Sequence, residues 1–388
     1  MRIAYVCTDP GIPVFGRKGA SVHAQAVLTE LVRAGHEVHL LTPRSGGDPA
    51  LGDPRTEVIV HPRPAVGRGE AAARELRAQA SDAQVAGLLS AIEPELVYER
   101  YALWGRTATD WTATHGVRSI LEVNAPLVTE QAAFRELVHV AAAEDVARHA
   151  LGRAGTVVCV SDLVADWARA AGARPDTVLV EPNGVDPGRI SVGSTPVTPA
   201  GAPVFTVGFV GTLKPWHGLE VLVEAVTPLM ASDPTWRLLL VGDGPLAQDL
   251  HHRLTAAGLA DRAELTGAVA PAEVGSHLHR MDIACAPYPA GGSDYFSPLK
   301  VYEYLAAGLP VVASAVGQIP AALDHGRLGR LVSPGDPAAL TGALAAVRAD
   351  PVRRARWRVT GPQAVADRHT WSAVVQRVLA HDPDARAA

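Results

Sequence analysis

The sequence predicts an α/β protein made of two doubly wound domains, each with a parallel sheet. Three observations predict it. Short runs rich in Val, Ile and Leu alternate with Ala-rich stretches of helical period, the pattern of parallel strands buried on both faces. The chain has 388 residues, more than one hydrophobic core usually spans. Residues 188–204 then combine Pro, Gly, Ser and Thr with almost no periodicity, which reads as a linker between two similar halves. The expected division is 1–187, a linker over 188–204, a second domain over 205–367, and a last helix and tail over 368–388.

The elements follow in order from their apolar runs. Strands are expected at Arg2–Cys7, Glu37–Leu41, Glu57–His61, Leu96–Glu99, Ser119–Val123 and Thr156–Val160. Helices between them are expected at Ser21–Arg33, Glu70–Ile92, Thr129–Leu151 and Ser161–Ala171. Gly35 follows the first helix as its terminating glycine, and Ser161 with Asp162 reads as an N-cap. The second half repeats the rhythm: strands at Thr206–Val210, Arg237–Val241, Ala263–Leu265, Ile283–Ala286, Pro310–Ala313 and Gly329–Val332. Its helices are expected at Gly218–Met230, Leu246–Ala256, Pro271–Met281, Pro298–Ala307 and Pro337–Arg348. The segment from His369 reads as one more amphipathic helix, expected to cross back to the first domain.

Composition narrows the function. The chain is 48% hydrophobic and 19% charged, so it is globular. A net charge of −5 without any Lys/Arg block argues against nucleic acid as the partner. Cys7, Cys159 and Cys285 lie far apart in apolar runs and read as reduced core residues. MRIAYVC reads as a first strand and not as a signal peptide, and no run approaches the ~18 apolar residues of a membrane span. A cytoplasmic monomer or homodimer without stable membrane insertion is expected.

Only three of the 35 basic residues are lysines, and all three sit in Gly/Pro-rich loops: Lys18, Lys214 and Lys300. In a chain that otherwise uses Arg, a retained lysine suggests a compact ammonium gripping phosphate oxygens. Open α/β sheets bind ligands beyond the carboxyl ends of their strands, so two such sheets facing across a cleft would bring the lysines together. Gly16-Arg-Lys-Gly19-Ala-Ser-Val-His23 follows the first strand and opens a helix, where backbone amides favour an anion. It lacks Gly-x-Gly-x-x-Gly, which disfavours a nicotinamide dehydrogenase. Gly208-Phe-Val-Gly211-Thr212-Leu-Lys214-Pro-Trp-His217-Gly218 repeats the design in the second half. In Asp294-Tyr295-Phe-Ser297-Pro298-Leu299-Lys300-Val-Tyr-Glu303, Pro298 suits a first helical position. Lys300 then lies in the first turn, where a cation opposes the helix dipole and a bound phosphate would explain it.

The segments GFVGTLKPWHGLEVLVEA, LLLVGDGP, LTGAV and FSPLKVYEYLAAGLPVVAS resemble glycosyltransferase family 4, the retaining nucleotide-sugar transferases of GT-B fold, across nearly the whole chain. The resemblance implies two Rossmann-like domains, with the donor held mainly by the second. It implies that Glu303 hydrogen-bonds the donor ribose as the later Glu of a Glu-x7-Glu motif. It places Ser297, Pro298, Leu299 and Lys300 on the diphosphate and Lys214 as a basic partner. Gly211, Thr212, His217 and Gly242 fall in the same donor loops, Val269 beside the base, and Gly19 near the phosphates. This chain departs from the family twice: the earlier Glu falls at Tyr295, next to Asp294, and His217 stands where many members have Lys. No Asp-x-Asp follows a strand, so metal-independent transfer without a cofactor is expected.

The expected acceptor contacts are Lys18, His23, Glu99, Arg100, Tyr101, Glu122 and Asn124, at strand ends and the first helix start of the first half. Glu99 and Arg100 also have a simpler reading as a rim ion pair. Strand-end carboxylates would suit a cationic small acceptor, such as an aminocyclitol in antibiotic assembly. Competing readings are a polysaccharide or lipid-linked glycan transferase, a GT-B epimerase or phosphorylase, and a non-catalytic sugar-nucleotide binder.

Overall fold

The structure is a computed structural model describing residues 1–16, 18–47, 49, 53–193, 204–291 and 295–383. The chain divides into two compact units, Met1–Asn183 together with Trp371–Ala388, and Gly184–Thr370.

The first unit carries seven strands: β1 (Arg2–Cys7), β2 (Glu37–Thr42), β3 (Ile59–Pro62), β4 (Leu96–Arg100), β5 (Arg118–Val123), β6 (Thr156–Cys159) and β7 (Val178–Val180). Their order is β3-β2-β1-β4-β5-β6-β7, all parallel. The second unit has β8 (Phe205–Val210), β9 (Trp236–Val241), β10 (Ala263–Leu265), β11 (Ile283–Ala286), β12 (Val311–Ser314) and β13 (Arg330–Val332). These run β10-β9-β8-β11-β12-β13, again all parallel. Strand order reverses beside β1 and β4 in one sheet and beside β8 and β11 in the other. Loops leaving those pairs are therefore the places where a ligand can sit. The central strands are buried along their length, as Ile3–Cys7 and Ile283–Ala286 illustrate, because helices cover both faces. All three cysteines are free and buried. Among the described residues, no helix is long and apolar enough to cross a membrane.

Several expected elements change. The helix expected over Glu70–Ile92 is two, Ala71–Asp82 and Val85–Ile92. Asp82 ends the first by turning its carboxylate to the amides of Arg106 and Thr107 (3.1 and 2.9 Å). Thr129–Leu151 likewise becomes Leu127–Phe134 and Val140–Arg153. Buried Glu75 holds the intervening turn by accepting from the amides of Val138 and His139, both at 2.9 Å. The strand expected from Glu57 starts at Ile59, because Asp53 caps a 3-10 turn over Pro54–Glu57. Pro271–Met281 shortens to a 3-10 turn and the helix Val274–Leu278. The Thr-rich helix Thr107–His115, the short edge strand β7 and the long helix Pro351–Arg368 have no counterpart among the expected elements. The segment expected as a linker is built into the second unit as far as residue 193, since Ile190 is fully buried in its core.

Helix Trp371–Ala380 belongs to the first unit. Trp371 packs edge-on against His23 (4.7 Å between ring centroids). Arg377 forks onto Glu181 (2.9 and 2.6 Å), and Arg118 donates to the carbonyls of Leu379 and His381.

Candidate functional site

In the second unit the switch point lies between the loop after β8 and the loop after β11. Gly211 leaves β8 at φ +146° and Gly242 leaves β9 at φ +134°. A Cβ on Gly242 would lie 2.1 Å from the Gly211 carbonyl, so only glycine lets these loops touch. The amide of Gly211 donates to Val241 and that of Leu213 to Asp243, each at 3.0 Å. Lys214 then precedes a 3-10 turn over Pro215–His217, with Nζ 4.4 Å from the centroid of exposed Trp216. Gly218, at φ +67°, starts helix Leu219–Ser232, and a Cβ there would meet the Pro287 carbonyl at 1.8 Å.

Lys300 enters this loop from below. It is the second residue of helix Leu299–Ala306; Pro298 is the cap of that helix and not its first residue, as expected from sequence. The Lys300 side chain is buried, and its Nζ has no hydrogen-bond partner among the described residues. The ammonium lies 4.1 Å from the Phe209 ring centroid and 5.2 Å from that of Tyr288, and 3.1 Å from where a Cβ on Gly211 would be. Burial pulls its pKa from 10.5 to about 7, with Glu303 acting weakly the other way. Among the described residues no carboxylate hydrogen-bonds this ammonium.

His217 faces the same spot. Its Nδ1–H donates to the Thr212 carbonyl at 2.6 Å. Burial first, then Lys300 and Lys214, push its pKa down to about 3, so it stands neutral with Nε2 as an acceptor. The site thus brings together Gly211, Lys214, His217 and Lys300 beside a helix start, an arrangement suited to a polyanion. Ser297 is buried just before the cap, its carbonyl accepting from the Leu299 amide at 3.0 Å. Thr212 is exposed, and Tyr295 and Val269 are half-buried, Val269 against the core. Asp294 lies outside the described residues.

Glu303, one turn beyond Lys300, is not a freely solvated side chain. Arg189 donates to its Oε1, and the other guanidinium arm donates to the Pro271 carbonyl at 3.2 Å. Arg189 escaped the sequence reading because it sits in residues taken for a linker, far from Glu303 along the chain. Tyr304 was likewise missed; its buried hydroxyl accepts from the Val210 amide (2.9 Å), fixing the end of β8.

The expected acceptor residues of the first unit separate into two groups. Alternation along β4 sends Glu99 and Arg100 to opposite faces, so the rim ion pair between them does not form. Arg100 pairs instead with buried Glu122 at 2.8 Å. Glu122 also accepts from the Tyr98 hydroxyl (2.8 Å), Asn124 Nδ2 (2.5 Å) and His23 Nε2 (2.9 Å). Burial alone would raise its pKa; His23, Arg100 and Asn124 override that and hold it at about 2. On the other face Glu99 is buried, with neither oxygen hydrogen-bonded among the described residues. Burial, then Asp82, raises its pKa well above the usual 4.5. Neither carboxylate is an open anion, and the charge argument for a cationic acceptor loses its basis. Tyr101 is buried, and its hydroxyl is also unpartnered among the described residues. Lys18 caps helix Gly19–Arg33 and donates to the Gly11 carbonyl at 3.1 Å, while a Cβ on Gly19 would meet open space.

Comparison with known proteins agrees with this architecture. The family described as Glycosyltransferase Family 4 matches residues 17–189, and that described as Glycosyl transferases group 1 matches residues 204–350. A phosphatidyl-myo-inositol mannosyltransferase of Mycobacterium leprae is 35% identical over 225 residues, 57% of each chain. The alignment thus spans little more than half the length of that relative. A D-inositol 3-phosphate glycosyltransferase of Segniliparus rotundus is 28% identical over 390 residues, 93% of this chain and 83% of the relative. Among solved structures, Anabaena HepE in complex with UDP superposes with a TM-score of 0.74 at 19% identity, covering 98% of both chains. That likeness establishes the fold.

Proposed function

This chain belongs to the family 4 glycosyltransferases of GT-B fold, and we propose that it moves a hexosyl group from a UDP-sugar to a hydroxyl of a small polar cyclitol. The observation that carries the donor half is the buried Lys300 ammonium, unpartnered among the described residues, beside Gly211 and a helix start. A diphosphate is an anion that would pair with this group. Lys214 supplies a second cation, and neutral His217 adds no third charge.

In this reading the bond from the sugar C1 to the diphosphate oxygen breaks as the acceptor oxygen bonds C1 from the same face. The acceptor's proton passes to the departing phosphate oxygen, which gives retention without a divalent metal. Negative charge grows on the diphosphate in the transition state, so fixed ammonium groups there stabilise it more than the bound substrate. The names of the inositol-using relatives support a cyclitol acceptor, as do the burial of Glu99 and the pairing of Glu122 with Arg100 and His23.

Lys300→Ala and Lys214→Ala should each lose ~10²–10³ in turnover without unfolding. Nucleotide release from UDP-sugars, with and without acceptor, measures this; near-wild-type turnover in either variant would sink the donor assignment. An acceptor panel of myo-inositol, inositol phosphate and an aminocyclitol, read by mass spectrometry, tests the other half. Preference for the aminocyclitol would restore antibiotic assembly as the setting. Preference for an uncharged linear sugar would overturn the cyclitol reading.

A further inference from the structure

Glu303 carries one carboxylate oxygen committed to Arg189, while Oε2 has no hydrogen-bond partner among the described residues. With one oxygen taken by the guanidinium, the remaining carboxylate oxygen is an acceptor placed for a hydroxyl. Arg189 does more than neutralise it. Its second arm reaches the Pro271 carbonyl, two residues past the half-buried Val269. The backbone below the guanidinium is itself fixed. Asp186 Oδ1 accepts from the Gly188 amide (2.8 Å), its carbonyl accepts from Arg189 and Ile190 (3.1 and 2.9 Å), and Ile190 is fully buried. A Cβ on Gly275 would lie 3.0 Å from the Arg189 carbonyl, so the next helix also packs on this turn.

We infer that Arg189 is a positioning residue for nucleotide recognition, setting through one guanidinium both the Glu303 carboxylate and the loop that carries Val269. The inference rests on the proposed donor site. Its chemical consequence is selectivity for a diol-bearing ribose over a deoxyribose, since Oε2 loses its partner when the hydroxyl is absent.

The test is calorimetric titration of the full chain with UDP and 2′-deoxy-UDP, and with GDP and 2′-deoxy-GDP. The proteins are the wild type, Arg189→Met, Arg189→Lys, Glu303→Gln and the double variant Arg189→Met with Glu303→Gln. The wild type should prefer the ribonucleotide about 10- to 100-fold. Arg189→Met should lose most of that preference while still binding through the diphosphate, and Arg189→Lys should keep part of it. In the Glu303→Gln background, Arg189→Met should change the ratio no further, which a purely structural role would not produce. If Arg189→Met keeps the wild-type ratio, or lowers affinity for both sugars equally in every background, the inference is overturned while the donor reading stands. If the wild type binds none of the four nucleotides, both fall.

Discussion

Lys300 carries an electrostatic cost in the second unit, because a buried ammonium with no hydrogen-bond partner among the described residues costs stability. Its pKa falls from 10.5 unfolded to about 7 folded, so the folded state disfavours the charged form. The cost is fully present below pH 7 and is relieved as pH rises towards 10.5, where the unfolded chain still holds the proton. At about 1.4 kcal/mol per pH unit, that fall amounts to about 5 kcal/mol at most. Lys300→Met should therefore unfold at higher urea than the wild type at pH 6.5, with an advantage that shrinks by pH 10, while losing turnover. Equal stability at both pH values would remove that cost from the account. Glu122 works in the opposite sense. Its folded pKa of about 2 lies below the usual 4.5, so its contribution is present above pH 4.5 and is lost as pH falls towards 2. Glu122→Gln leaves Arg100 buried without its counter-charge and should cost ~3–5 kcal/mol in urea unfolding at pH 7. It should also flatten the pH dependence of stability below 4.5.

At the scale of elements, the two glycine loops differ in what they demand. Gly218 is left-handed and pressed against the Pro287 carbonyl, so Gly218→Ala meets both backbone strain and a clash. It should destabilise the second unit by ~3 kcal/mol or more and abolish UDP binding. Gly19 opens its helix with free space around it, so Gly19→Ala should leave the melting temperature within a degree or two of wild type. A large activity loss in that stable variant would mark Gly19 as a place where ligand approaches backbone. The helix breaks follow another rule. Asp82 and Glu75 turn buried carboxylates to amides of distant segments, and neither partner is near in sequence. Helical periodicity runs straight through both breaks, after Asp82 and after Phe134, so local pattern alone predicts continuous helices there.

At the scale of the whole chain, the last helix returns to the first unit and is bound by Trp371, Arg377 and the carbonyls that receive Arg118. A chain ending at Thr370 should lose stability in its first unit, where His23 loses Trp371 and Glu181 loses Arg377. Saturating UDP should stabilise the second unit, by ~2.7 kcal/mol at a hundredfold excess over Kd. Calorimetry should then show two transitions, one sensitive to truncation and the other to UDP; a single transition shifted equally by both would contradict the division. The apolar runs of β1, β8 and β11, the glycines of their loops and the three loop lysines could all be read from sequence because each is a local pattern with a local cause. The sequence by itself therefore determined two parallel α/β units, their glycine-bearing loops and the three lysines in such loops. Only the tertiary structure decided which side chains are charged and what they face. It buried Glu99 and raised its pKa, tied Glu122 to Arg100 across neighbouring strands, left Lys300 Nζ without a hydrogen-bond partner among the described residues and joined Arg189 to Glu303. Those outcomes depend on desolvation and on contacts between residues distant in the chain, which no local spacing encodes.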